Sequence, residues 1–213
     1  MITAAIIAST AIVSIAAFSR PKWIRDHLFE TAAVRRGEYG RLISAGLLHA
    51  NWGHLLVNML SFYFFANNLE LIYGPFLVAV VFGVGVVGGN LLALALHWND
   101  PHYRALGASG GVCGIVFASV FLLPGGSIYI LPLPVPIPSW VYAVFFVVYS
   151  VQGARTQRDN VGHDAHLGGA LLGLAAATVF YPGLVVVNPL LFTVVVGGSL
   201  GAVIYLYHLS RSR

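Results

Sequence analysis

Charge is what this sequence has least of. Its 213 residues hold 11 Lys or Arg and 7 Asp or Glu, 8% in all, against about 25% in an ordinary soluble domain. So few ions cannot cover a surface that faces water everywhere. With 58% apolar residues and a mean hydropathy of +0.84, the chain reads as a polytopic helical membrane protein. The net charge of +4 is small and dispersed, which excludes nucleic acid as an expected partner. The lone cysteine, Cys113, leaves no intramolecular disulfide and no reading of redox compartment. His163, Asp164 and His166 are close enough in sequence to share a metal, but no H-E-x-x-H or comparable ligand cluster accompanies them. No metal and no cofactor is therefore expected. The first apolar run has no basic flank before it and no clear cleavage site after it, so it reads as a retained span. Without repeat or linker, residues 1–213 form one expected domain.

A membrane helix needs about 20 apolar residues, with a range of about 17–25. Seven runs read as spans, the fourth and fifth of them shorter than that range: Ile2–Ser19, Leu48–Asn68, Pro75–His97, a run from Ser109 stopped by Pro124-Gly125-Gly126, Trp140–Gly153, Gly162 to Tyr181-Pro182-Gly183, and Leu184–His208. The expected fold is all-α, with a six-helix core over about residues 2–181 and a seventh C-terminal span over about 184–208. Arg20–Arg41, with six basic and three acidic residues, is too polar to cross and should lie along the interface with Trp23 at headgroup depth. Leu131–Pro138 alternates proline and reads as a stiff extended connector. Arg155–Asn160 is a polar loop.

Depth singles out three spans. Spans two, four and six cross in one direction. Ser109 stands fifteen residues before Pro124 and His166 sixteen before Pro182, so both sit about 22–24 Å from the far side at 1.5 Å per residue. His54 in span two brackets the same level. Serine, histidine and a His54/Asn58 pair thus share one layer a little below the near surface. Small residues (Gly110, Gly114 and Ala118 on span four; Gly169 and Gly173 on span six) let those helices approach closely.

That layer has a chemistry. A serine hydroxyl needs a base to become a nucleophile, and histidine is the usual one. Peptide cleavage also needs donors aimed at an oxyanion. The Ser109 amide, at the start of a helix, is unpaired and sits at the positive end of the dipole. His54 and Asn58, four residues apart, share a helical face and add two side-chain donors. Ionisable and polar groups at membrane depth are expensive and mark function.

Gly107-Ala-Ser-Gly110 with Gly114 resembles the G-x-S-G-x-x-x-G motif of rhomboid intramembrane serine proteases. Ala165-His-Leu-Gly-Gly169 with Gly173 is similar to that family's A-H-x-x-G-x-x-x-G, and His49-Ala-Asn-Trp-Gly-His54 with Asn58 to its H-x-x-x-x-H-x-x-x-N. The resemblance covers about residues 38–181. It implies a six-helix rhomboid-like core, Ser109 as nucleophile, His166 as general base in a dyad without a third carboxylate, and an oxyanion hole of His54, Asn58 and the Ser109 amide. Gly107, Gly110 and His49 would support it, His49 by holding the first loop. Implied substrates are single-span transmembrane proteins, cut where the helix unwinds readily. Glu70 and Arg41 fall where the family has a buried glutamate and a loop arginine. Two positions depart from the pattern: Gly40 precedes Arg41 in place of a tryptophan, and Cys113 replaces an aromatic that packs on the catalytic histidine.

The remaining polar residues take plainer readings. His97, His102 and His208 are expected at the interface, the glycines of span three in helix packing, and Asp159 in a loop with no triad role. The seventh span is given packing alone. Span five and the loop after it are the expected moving parts for substrate access. The site-side loops and the C-terminus hold all 11 Lys and Arg, so charge alone would turn the site inward, whereas the resemblance turns it outward. We expect a multi-pass protein of the cell membrane with an outward-facing site. A catalytically silent client-binding relative and a small-solute transporter are the rival readings. The first would lack Ser109 or His166, and the second would show inverted repeats of broken helices.

Overall fold

The computed structural model describes residues 1–129, 135–156 and 161–211. Among them the chain runs through α1 (Ile2–Phe18), α2 (Pro21–His27), β1 (Phe29–Glu30), α3 (Thr31–Arg35), α4 (Arg41–Ser44), α5 (Trp52–Tyr73), α6 (Pro75–Leu96) and β2 (Arg104–Ala105). It continues through α7 (Ser109–Leu122), β3 (Ser127–Tyr129), β4 (Pro136–Pro138), α8 (Ser139–Thr156), α9 (His163–Phe180), α10 (Leu184–Val187) and α11 (Pro189–Arg211). The all-α membrane architecture holds. Among the described residues three helices, α5, α6 and α11, are long and apolar enough to cross a membrane, while α1 and α7 are apolar but shorter.

Helix ends follow local chemistry more closely than hydropathy does. The second span opens at Trp52, not Leu48, because Asn51 caps it with a side-chain oxygen that accepts the His54 amide at 2.9 Å. His49 therefore lies in the turn before α5. Gly74, at φ +87°, closes α5, and Pro75 opens α6. The fifth span, α8, runs on past Gly153 to Thr156, so Arg155 belongs to it and not to the loop. The seventh span is broken: α10 ends before Asn188, whose side chain accepts the Leu191 amide at 3.1 Å and starts α11 afresh. β3 and β4 pair antiparallel, which keeps Pro136–Pro138 extended. The rest of the proline connector, Asp159 with its neighbours and Arg213 lie outside the described residues.

Arg20–Arg41 is folded as well as polar. Arg41 donates to the carbonyls of Arg25 and Leu28, at 2.9 Å each, and to Glu38 at 2.7 Å. β1 pairs with β2, tying this segment to the stretch that leads into α7. The Glu70 carboxylate on α5 accepts the amides of Ile2 and Thr3 at 2.8 and 2.9 Å, capping the start of α1 with negative charge.

At the centre stands α7. Every residue from Gly110 to Leu122 is buried. Its fourteen residues span about 21 Å, less than a hydrocarbon core of about 30 Å, and its first residue ends at a cavity. Glycine sets its neighbours. A Cβ on Gly114 would stand 3.1 Å from the Gly169 carbonyl oxygen and 3.2 Å from the Gly173 Cα, while Gly169 and Gly173 meet the backbones of Gly110 and Gly114 in turn. On α6, Gly85 faces the Gly110–Gly111 backbone and Gly89 the Ala165 carbonyl, as packing requires, whereas Gly83 faces open space. Outside this tight trio, α8 packs on α9 and α11 and scarcely touches α5.

A side chain forced into this seam must push the two backbones apart. Gly169→Val is expected to lower the thermal unfolding midpoint in detergent by several degrees or prevent folding, in line with overpacking costs of about 1–3 kcal/mol or more. Gly83→Ala should leave the midpoint unchanged or raised.

Candidate active site

A cavity of about 1170 Å³ opens among the loops before α5, α7 and α9, and Ser109, His54, Asn58 and His166 all line it. Ser109 is the first residue of α7, half-buried. Before it, Gly107 turns the chain at φ +133°, a region that other residues enter only at a steric cost. A Cβ there would also lie 2.9 Å from His54 Nε2 and 3.8 Å from Ser109 Oγ, so the imidazole and the hydroxyl flank the same glycine. Gly110 is equally constrained, because a Cβ on it would stand 2.9 Å from the Gly85 carbonyl oxygen and 3.3 Å from that of Ala165. The residue after the serine therefore touches the residue before the histidine.

Ser109, His54 and Asn58 bring N–H donors to the same cavity. The Ser109 amide is among the first four of α7 and has no partner within the helix. The Ala50 amide reaches His54 Nδ1 at 3.5 Å, which leaves the proton on Nε2, the atom beside Gly107. Asn58 Nδ2 gives one hydrogen to the His54 carbonyl at 2.9 Å and keeps a second.

His49 does more than hold the first loop. Its fully buried ring accepts the Ala108 amide on Nε2 at 3.4 Å, so Nδ1 carries the proton and donates to Ser14 Oγ at 2.9 Å. Ser14 donates its own proton to the Leu47 carbonyl at 2.8 Å. The chain from α1 to the residue preceding Ser109 works only with a neutral ring. Burial first, and the neighbouring His54 second, push His49 down to about 4.

His166 sits in the first turn of α9, half-buried, and its ring stacks on Phe146 of α8 with centroids 6.2 Å apart and planes at 29°. Phe146 leans in turn on Phe117 at 5.2 Å. The ring that Cys113 does not provide thus comes from another helix. His163 is buried beside it, edge-on to Tyr149 at 5.0 Å, and its ring fills the space over Gly153.

His102 and His208 are exposed, whereas His97, at the end of α6, is half-buried and turned into the protein. Its Nε2 lies 2.8 Å from Asp164, and both Asp164 oxygens also accept the Tyr103 hydroxyl at 3.1 Å. Burial, with the Asp164 carboxylate next to it, holds the Tyr103 phenol protonated far above its ordinary range. Sequence reasoning missed this cluster and Phe146, since partners some 60 positions apart in irregular segments leave no periodic trace. Leu206, Leu209 and Ser210 of α11 also line the cavity.

The family model described as the Rhomboid domain matches residues 36–183, most of the chain. The chain belongs to the rhomboid family. It is 25% identical over 174 residues to RHOMBOID-like protein 12, mitochondrial, of Arabidopsis thaliana, covering 75% of this chain and 52% of that protein. Against Rhomboid protease AarA of Providencia stuartii the identity is 26%, over 83% of this chain and 69% of that protein. Against Rhomboid-like protease 2 of Toxoplasma gondii it is 33%, over 67% and 48%. The chain thus spans about half the length of two of these three rhomboid relatives.

The depressed value of His49 has a consequence for the fold. Unfolding lets the ring take up a proton near its ordinary 6.5, which the folded state resists until about 4. Stability should therefore fall as pH drops through that window. Thermal midpoints measured across it should decline in the native protein, and His49→Gln should be less stable at neutral pH with a flatter decline.

Proposed function

We propose that this rhomboid protein is an intramembrane serine endopeptidase that cuts single-span transmembrane proteins through a Ser109–His166 dyad. The observation that carries the reading is the meeting of α7 and α9 at Gly110 and Ala165, which delivers the two flanking side chains to one cavity. His166 takes the Ser109 proton as Oγ attacks the scissile carbonyl. The resulting oxyanion is held by the Ser109 amide, His54 Nε2–H and Asn58 Nδ2–H. His166 then gives the proton to the leaving amine, and a water entering from the loop side repeats the exchange to free the acyl group. Two of the relatives named above are themselves called proteases.

In this reading the chain crosses the cell membrane seven times with the site facing outward, although the Arabidopsis relative is mitochondrial by name. Substrate reaches the dyad between α5 and α8, which scarcely touch. Phe146 orients the His166 ring from α8.

Reconstitution with a model single-span substrate tests this. Ser109→Ala and His166→Ala should abolish cleavage, and His54→Ala and Asn58→Ala should each lower turnover by up to about 10²-fold. Wild-type rates in both dyad variants would refute the protease reading and favour client binding or transport. Phe146→Ala should lower kcat about tenfold, and Cys113→Phe, one turn below Ser109, should restore some of that loss. Unchanged kcat in Phe146→Ala would remove the ring from any orienting role.

A further inference from the structure

We propose that Asp164 is a positioning residue, clamped by His97 and Tyr103 so as to fix the distance between the segment carrying Ser109 and the turn carrying His166. The inference rests on the protease reading above. α9 begins at His163 after Gly162, which offers no side-chain cap. The His163 amide is met by the Val161 carbonyl at 2.9 Å, but the first amides of a helix have no partner within it, and such a turn frays unless something outside the helix holds it. Asp164 is what holds it. Asp164 is only 4% exposed, and His97 Nε2 reaches its carboxylate at 2.8 Å and Tyr103 Oη at 3.1 Å to each oxygen.

Both donors are fixed in their turn. His97 ends α6, and its ring lies flat on Tyr103, with centroids 3.6 Å apart and planes at 6°. Tyr103 accepts the Thr31 amide at 3.1 Å through its carbonyl and meets Phe29 edge-on at 6.1 Å. It stands immediately before β2, in the stretch that continues through Gly107 to Ser109, and the Gly107 amide is itself held by the Ala45 carbonyl at 2.9 Å. Asp164 stands two residues before His166. One cluster of hydrogen bonds therefore joins the loop that delivers the hydroxyl to the turn that delivers the imidazole. The glycine seam sets how closely α7 and α9 pack below the site; the clamp sets the first turn of α9 above it. A buried carboxylate is costly unless fully partnered, and here three donor contacts partner it.

The test uses the full chain in liposomes with a single-span substrate, kcat being normalised to the fraction of Ser109 that reacts with a fluorophosphonate. Tyr103→Phe keeps the ring stack and removes one hydroxyl, so it should fold and lower kcat about tenfold, with KM within about twofold. Asp164→Asn should do the same or more. The double variant should be no slower than the slower single, because both remove one clamp. His97→Gln, which retains a donor, should keep most of the turnover that His97→Ala loses. Wild-type kcat in Tyr103→Phe and Asp164→Asn, or losses that add in the double variant, would overturn the proposal. Amide hydrogen exchange over 163–168 reports the clamp without reference to catalysis, and should quicken in both variants; unchanged exchange would overturn it too. Cleavage that survives Ser109→Ala instead sinks the protease reading, whatever the exchange data show.

Discussion

Two helices in this protein touch through their backbones. Where α7 meets α9, Gly110 and Gly114 face Gly169 and Gly173 with no side chain between them. Membrane helices have little hydrophobic drive to associate, so close van der Waals contact does most of that work. The same contact fixes the height of Ser109 against His166, and α6 reinforces it by presenting Gly85 and Gly89 to both partners. Without the seam, a short helix such as α7 would have no defined depth.

Around that apolar joint, three buried side chains make long-range ties. Glu70 holds the first amides of α1, His49 links Ser14 to Ala108, and Asp164 joins His97 and Tyr103. Each spans at least 35 positions of sequence. In a medium that offers no water, such groups must find protein partners, and each tie ends on a different pair of segments. Together they pin a set of helices at both ends, Glu70 at the end of α5 away from the site and His49 and Asp164 beside the site.

The membrane class and the shared depth of Ser109 and His166 were legible because proline and glycine stops give each helix a ruler. The Gly107, Gly110 and Gly114 spacing was legible for the same reason that it works: only glycine tolerates the turn and the contacts. Other features were not. Gly153 reads as the end of a span, yet it lies inside α8, where the His163 ring takes the place of its side chain. His49 looks like a member of the second span until Asn51 is seen to cap it. His97 looks interfacial because its partner, Asp164, lies 67 positions away in another loop-proximal turn. Phe146 reads only as one apolar residue among many on the fifth span, since no local pattern announces which histidine it will face.

The contrast between the inner seam and the outer helix has a consequence for how the lipid acts. Backbone contacts at the centre are shielded from lateral pressure, whereas α8 stands at the perimeter with Phe145 and Val148 exposed. Thickening or stiffening of the bilayer would thus bear on α8 and leave the central joint alone. On the proposed protease reading, lipid composition would govern how readily a client helix is admitted, and cleavage of a seated client would proceed at a rate indifferent to the surrounding membrane.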